Sequence, residues 1–93
     1  MRYKITVEEI VDENKFSDEK LEFEAESHEN ILAIVEKLKQ HPDFDNNEAA
    51  ILGVGLKLFT AVMLKQKDNS LFENLMPHFK DFMKRLKSSG KGK

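Results

Sequence analysis

The sequence predicts an α+β fold, a two-stranded antiparallel β-hairpin followed by three helices with the central one buried. Three observations carry this. Apolar and polar residues alternate in two short runs near the N-terminus, separated by turn residues. From about residue 31 onward, apolar residues recur at spacings of three and four. Residues 49–64, Ala-Ala-Ile-Leu-Gly-Val-Gly-Leu-Lys-Leu-Phe-Thr-Ala-Val-Met-Leu, are apolar around almost the whole helical circumference, with Lys57 their one charge, so a helix there needs cover on most sides.

The hairpin comes first. Tyr3, Ile5 and Val7 alternate with Arg2, Lys4, Thr6 and Glu8, and Leu21, Phe23 and Ala25 alternate with Glu22, Glu24 and Glu26. Strands are expected over residues 2–9 and 20–26, joined by a longish polar loop over 12–19. Placing Ile5 opposite Phe23 sets Val7 against Leu21 and Tyr3 against Ala25, and on the other face Arg2 against Glu26 and Lys4 against Glu24. A shift by two residues would bring Glu8 against Glu22, a repulsive pair. Ile10 and Val11, two consecutive apolar residues, break the alternation and predict a bulge or a turn toward the core.

Three helices are expected next, near 28–40, 46–66 and 71–87. Ser27 suits an N-cap for the first, and Pro42 stops it near His41 because a residue before proline disfavours helical backbone. Asp45 with Glu48 three residues on has capping-box spacing, as do Ser70 and Glu73. Pro77 either kinks the last helix or lies in the first turn of a new one after a short turn over 71–75. The expected core is Tyr3, Ile5, Val7, Leu21, Phe23, Ile31, Ile34, Val35, Leu38, Leu52, Leu56, Phe59, Met63, Phe72, Leu75, Phe79, Phe82 and Leu86. Gly55 lies within the large-residue arc of the central helix, which predicts a bulky group packed against it, whereas Ala50, Gly53, Thr60 and Ala61 around Lys57 read as a solvent or partner face.

Ninety-three residues bound the chain to one small domain, expected over 1–87, with a basic tail over 88–93 expected to be disordered. The absence of cysteine excludes disulfides, thiolate metal sites and a cysteine nucleophile, and with no signal-peptide core a cytoplasmic setting is the expectation. The apolar run is shorter than the ~20 residues of a bilayer crossing and holds Lys57 near its middle, so no membrane association is expected. Charge is divided unevenly. Residues 1–48 hold 6 basic against 14 acidic side chains and residues 49–93 hold 9 against 3, for a formal net charge of −2 overall. Such a division is met by the basic helix lying across the acidic hairpin within one chain, by charges that are simply solvated, or by a docking surface.

No motif carries chemistry. Gly53-Val54-Gly55-Leu56 lies within a helix, follows no strand and lacks a following Lys-Ser/Thr, so it is no phosphate loop. His28, His41 and His78 have no ligand spacing, and Ser17, Ser27 and Ser70 have no triad context. No catalytic residue, metal or cofactor is therefore expected, and enzyme activity would need a deep polar pocket gathering Lys57 with a histidine and a carboxylate. The candidate interaction surface is Lys57 together with Lys80, Lys84, Arg85 and Lys87 on the basic amphipathic last helix.

Arg2-Tyr3-Lys4-Ile5-Thr6-Val7-Glu8-Glu9, Ile34-Val35-Glu36-Lys37-Leu38, Gly55-Leu56-Lys57-Leu58-Phe59 and Asp81-Phe82-Met83-Lys84-Arg85-Leu86-Lys87 carry a resemblance. In these segments the chain resembles the DUF3861 family of short uncharacterised bacterial proteins, and the likeness extends to residue 87. The resemblance implies a small bacterial protein and transfers no activity, cofactor or site residue. The function expected is a non-enzymatic protein-interaction or regulatory module, with a homodimer or another protein as partner. A small-anion binder is the alternative, and a nucleic-acid binder acting through the last helix is a weaker one, since the acidic hairpin opposes it.

Overall fold

The computed structural model describes residues 1–89 and has the α+β order expected: β1 Arg2–Asp12, β2 Lys15–Glu26, α1 Ile31–Lys39, α2 Asn46–Lys65, α3 Ser70–Glu73 and α4 Leu75–Ser89. The strands pair antiparallel with Ile5 opposite Phe23, Val7 opposite Leu21 and Tyr3 opposite Ala25, the register that alternation requires. On the other face the ion pairs run diagonally, Arg2 to Glu24 and Lys4 to Glu22 at 3.0 Å. The expected polar loop over 12–19 is absent. Both strands continue to a two-residue turn at Glu13-Asn14, and the register shifts between Glu8 and Ile10 and again before Asp12 place the bulge where the alternation breaks. Ile10 and Val11 do not turn toward the core; they stand in solvent. Because neither face of this outer ribbon is covered, polar residues fit on both, and the period-two signal disappears from it.

Ser27 does not cap α1. Its N–H donates to the Met1 carbonyl at 2.9 Å and its own carbonyl accepts from the Met1 ammonium at 2.9 Å, so it extends the strand ladder. Asn30 takes the cap, its Oδ1 accepting from the Ala33 N–H at 3.2 Å. The Tyr3 hydroxyl accepts from the Ile31 N–H at 3.0 Å and so ties β1 to the start of α1. α2 opens on the predicted capping box: Asp45 Oδ1 accepts from Glu48 N–H at 2.8 Å, and Glu48 Oε1 accepts from Asp45 N–H at 3.1 Å. Four helices stand where three were expected, because Asn69 rather than Ser70 caps the short α3 and Pro77 lies in the first turn of a separate α4, where its missing N–H is harmless. α4 continues through Ser88 and Ser89, past the expected boundary at 87, and the remainder of the expected tail lies outside the described residues.

The core is the crossing of α1 and α2. Ile31, Val35 and Leu38 form the buried stripe of α1, with Gly53 of α2 against Val35 and Leu38, and Ala49 and Met63 are the other buried residues of α2. The cover of α2 is partial, and the expected burial on most sides is not found: Leu52, Leu56 and Lys57 are half-buried, while Ile51, Phe59, Val62 and Leu64 are exposed. The two glycines exchange roles. A Cβ on Gly53 would lie 2.9 Å from Val35 Cγ2 and 3.2 Å from Leu38 Cδ1, whereas one on Gly55 would meet nothing within 4 Å. Small residues are needed where two helices approach closely, so the small face turns inward.

Val7, Leu21, Phe23, Leu75 and Phe82, also expected in the core, are exposed as well, and Tyr3, Ile5, Ile34, Leu52, Leu56, Phe72, Phe79 and Leu86 are half-buried. The hairpin touches the helices only near its base and projects beyond them as an arm. The Cα radius of gyration is accordingly 15.5 Å, against about 12 Å for a compact chain of this length.

Candidate functional site

Two concave surfaces flank α2. On one side a cleft of about 740 Å³ lies between the end of β2 and the C-terminal half of α2, walled by Phe23, Ala25, Leu58 and Val62. Lys57 lies in this cleft, and its Nζ pairs with Glu29 from the turn before α1. The Lys57 side chain is only 12 % exposed. This hydrogen bond, then the charge of Lys57, and more weakly the charges of Lys87 and Lys37, hold the Glu29 carboxyl below the usual carboxylate range. His28 also lines the cleft, which thus gathers a lysine, a carboxylate and a histidine, but its walls are mainly apolar and it opens to solvent. Lys57 is therefore already paired within the chain, and the small-residue face around it, expected to meet solvent or a partner, is turned inward.

On the other side a groove of about 290 Å³ runs between α2 and α4. Met63, Met76, Phe79 and Met83 line it, and Lys80, Lys84 and Lys87, placed at i, i+4 and i+7, stand along its rim. The three lysines are thus brought together. Arg85 is not among the lining residues; its Nε pairs with Asp81 one turn back, at 3.1 Å. Phe59 contacts the rings of Phe72 and Phe79, at centroid distances of 6.2 and 5.9 Å, which seats α3 and α4 against α2. Lys80 and Lys84 have no ion-pair partner among the described residues.

A third feature is the outer part of the arm. Ile10 is 68 % exposed and Phe16, opposite it, 61 %. Val11 beside them is exposed too, and six carboxylates lie between Glu8 and Glu19, against Lys15. Sequence reasoning missed this tip because it reads as loop, and it missed Glu29 because only the fold brings that residue to Lys57, 28 positions away. His41 is buried against Phe44, and its Nδ1 accepts from the Asp43 N–H at 3.1 Å, a structural use. Among the described residues no three His, Cys, Asp or Glu side chains are placed to hold a metal ion. α2, at 20 residues, is long and apolar enough by length and composition to cross a membrane, which corrects the shorter span expected, but it carries the Lys57–Glu29 ion pair near its middle.

A small α+β domain with a projecting hairpin and two open concavities is thus the class of protein this fold defines. The chain belongs to the DUF3861 family: the family model, described as a domain of unknown function with solved structure, matches residues 1–88. It is similar to a protein of unknown function from Pectobacterium atrosepticum, known from a crystal structure at 2.20 Å resolution, with 33 % identity, 95 % of this chain and 97 % of that one covered, and a TM-score of 0.82. No curated protein matches.

Proposed function

We propose that this protein is a non-enzymatic protein-interaction module whose binding element is the hairpin arm. One observation carries the reading: from Arg2 to Glu8 the arm is paired in a single register and apolar on one face, yet Val7 and Leu21 on that face stand exposed, at 54 % and 59 %. A solvated two-stranded ribbon is marginal alone, and a contiguous apolar face on it is a surface that another protein covers. The pairing of Lys57 with Glu29 supports this over an anion-binding role, because an anion entering the cleft would have to displace a carboxylate already in place. The lysines of α4 border an apolar groove rather than a flat basic surface, which favours an acidic, partly apolar protein segment over nucleic acid. Cytoplasmic residence goes with this reading and rests on the cysteine-free composition.

The test is whether the arm's apolar face does intramolecular work. Val7→Thr and Leu21→Thr keep β-propensity while removing apolar surface. In dilute solution, urea unfolding should show each losing less than about 1 kcal/mol, the range of a cross-strand pair on an exposed sheet. A loss of about 3 kcal/mol or more at either position would place that face in the core and overturn the proposal.

A further inference from the structure

The acidic, apolar arm tip and the lysine-rimmed groove are complementary, and neither is occupied within one chain. We infer that the tip of one copy docks in the α2/α4 groove of a second copy, and the second tip in the first groove, giving a reciprocal two-fold dimer; this rests on the interaction reading above and names the partner and the contact.

Chemistry matches at both levels. Met76, Phe79 and Met83 offer a soft, adaptable apolar floor, and methionine accommodates varied apolar shapes. The volume of 290 Å³ is about twice the ~150 Å³ that accommodates one benzene ring, room for the Phe16 ring with Ile10 or Val11 beside it. Around that floor Lys80, Lys84 and Lys87 meet a tip whose carboxylates, from Glu8 to Glu19, form no ion pairs among the described residues. Opposite charge at the rim of an apolar contact sets register and speeds encounter.

Reach and area fit a second copy. β1 has 11 residues, which at ~3.4 Å per residue span about 37 Å, close to the longest dimension of the molecule, 41 Å. The accessible surface is 7733 Å², whereas a compact monomer of 10.8 kDa exposes about 5,500 Å². Residues 90–93 could supply at most about 500 Å² of the difference. The remaining surplus exceeds the ~800 Å² that each partner gives up in a stable complex. In a two-fold arrangement both tip-to-groove contacts form together, so each raises the effective concentration of the other.

The absence of cysteine permits a direct test. A Lys15→Cys protein, altered beside Phe16 and not at it, is mixed with a Lys87→Cys protein, altered on the groove rim and not in its floor, at low salt and treated with a short bis-maleimide, and the joined peptides are counted by mass spectrometry. Lys15→Cys mixed with Leu32→Cys, on the exposed face of α1, sets the collision background. Far-UV circular dichroism verifies the fold of each variant, and sedimentation equilibrium of the wild-type chain and of each variant is run beside it. The inference expects a wild-type mass rising to twice 10.8 kDa, and a 15-to-87 product exceeding the control by more than about tenfold. It also expects a dimer that weakens as salt rises and a Lys84→Glu variant whose Kd is at least about tenfold higher. A dimer whose 15-to-87 product stays at background overturns the inference and leaves the interaction reading standing, with the interface elsewhere. A chain that is monomeric up to millimolar concentration at low salt also overturns it, and the arm substitutions described above then decide separately whether the interaction reading survives.

Discussion

Alanine at Gly53 and alanine at Gly55 are the same chemical change two residues apart in one helix, and the structure predicts opposite outcomes. Each gains about 1 kcal/mol of helix propensity over glycine. At Gly55 nothing lies within 4 Å of the new methyl, so Gly55→Ala should stabilise by about 0.5–1 kcal/mol. At Gly53 the methyl lands 2.9 Å from Val35 Cγ2, and the Val35 Cα is 3.5 Å away. Valine has one favoured rotamer in a helix, so its side chain cannot swing clear and α1 has to move. Overpacking of this kind costs about 1–3 kcal/mol, which offsets or exceeds the propensity gain. The two variants should therefore differ by about 1–3 kcal/mol. For a chain of this size that is about 5 °C in Tm for each kcal/mol, well resolved by thermal circular dichroism. A stabilising Gly53→Ala together with a destabilising Gly55→Ala would refute the α1/α2 crossing and restore the inward-facing large arc that the helical wheel suggests.

Two further outcomes follow from the same geometry. On α1, Leu38→Ala should lose about 3 kcal/mol and Leu32→Ala less than about 1 kcal/mol, since Leu38 is 8 % exposed and Leu32 68 %; equal losses in urea unfolding would mean the buried stripe is misassigned. Glu29→Gln removes the partner of Lys57, and because the folded carboxyl is held below its usual range, chiefly by the Lys57 hydrogen bond and charge, its contribution is complete above the unfolded-state pKa and lost as pH falls through the folded value. The Tm gap between wild type and Glu29→Gln should thus be widest at neutral pH and close in acid; a gap independent of pH would remove the ion pair from the account.

Local rules were legible in this sequence wherever the relevant groups lie close along the chain or share one covered face. The register of Ile5 with Phe23 and the Asp45/Glu48 capping box follow from spacing and charge, whereas Pro77 left a kinked helix and a new helix start both open, and the end of α3 at Glu73 decides for the second. Ser27 and Asn30 are comparable caps by composition, and the choice between them fell to the Met1 pairing at the base of the hairpin, a contact 26 positions away along the chain. Burial was legible only where the helices cross. Periodicity states which face of an element is apolar and does not state that the face is covered, so Val7, Leu21 and Phe23 carry the pattern of a core strand while standing outside it. The same limit explains α2, where Gly53 and Ala49 are buried by close approach and the larger Ile51 and Phe59 are left at the surface. Of the candidate site, Lys80, Lys84 and Lys87 were readable as one face of a helix, and their partner groups Met63 and Phe79 were readable only as core.

The account turns on an arm that is paired within itself and uncovered by its own helices. Residue-resolved amide hydrogen exchange on the dilute, monomeric chain tests that most directly, because protection follows the free energy of local opening. The strand amides between Ile5 and Phe23 should exchange far faster than those of Val35 and Gly53 at the α1/α2 crossing, and should open without the helices opening. Arm amides as slow as Val35 and Gly53, lost together with them in one cooperative unfolding step, would contradict the open arm and with it the interaction surface.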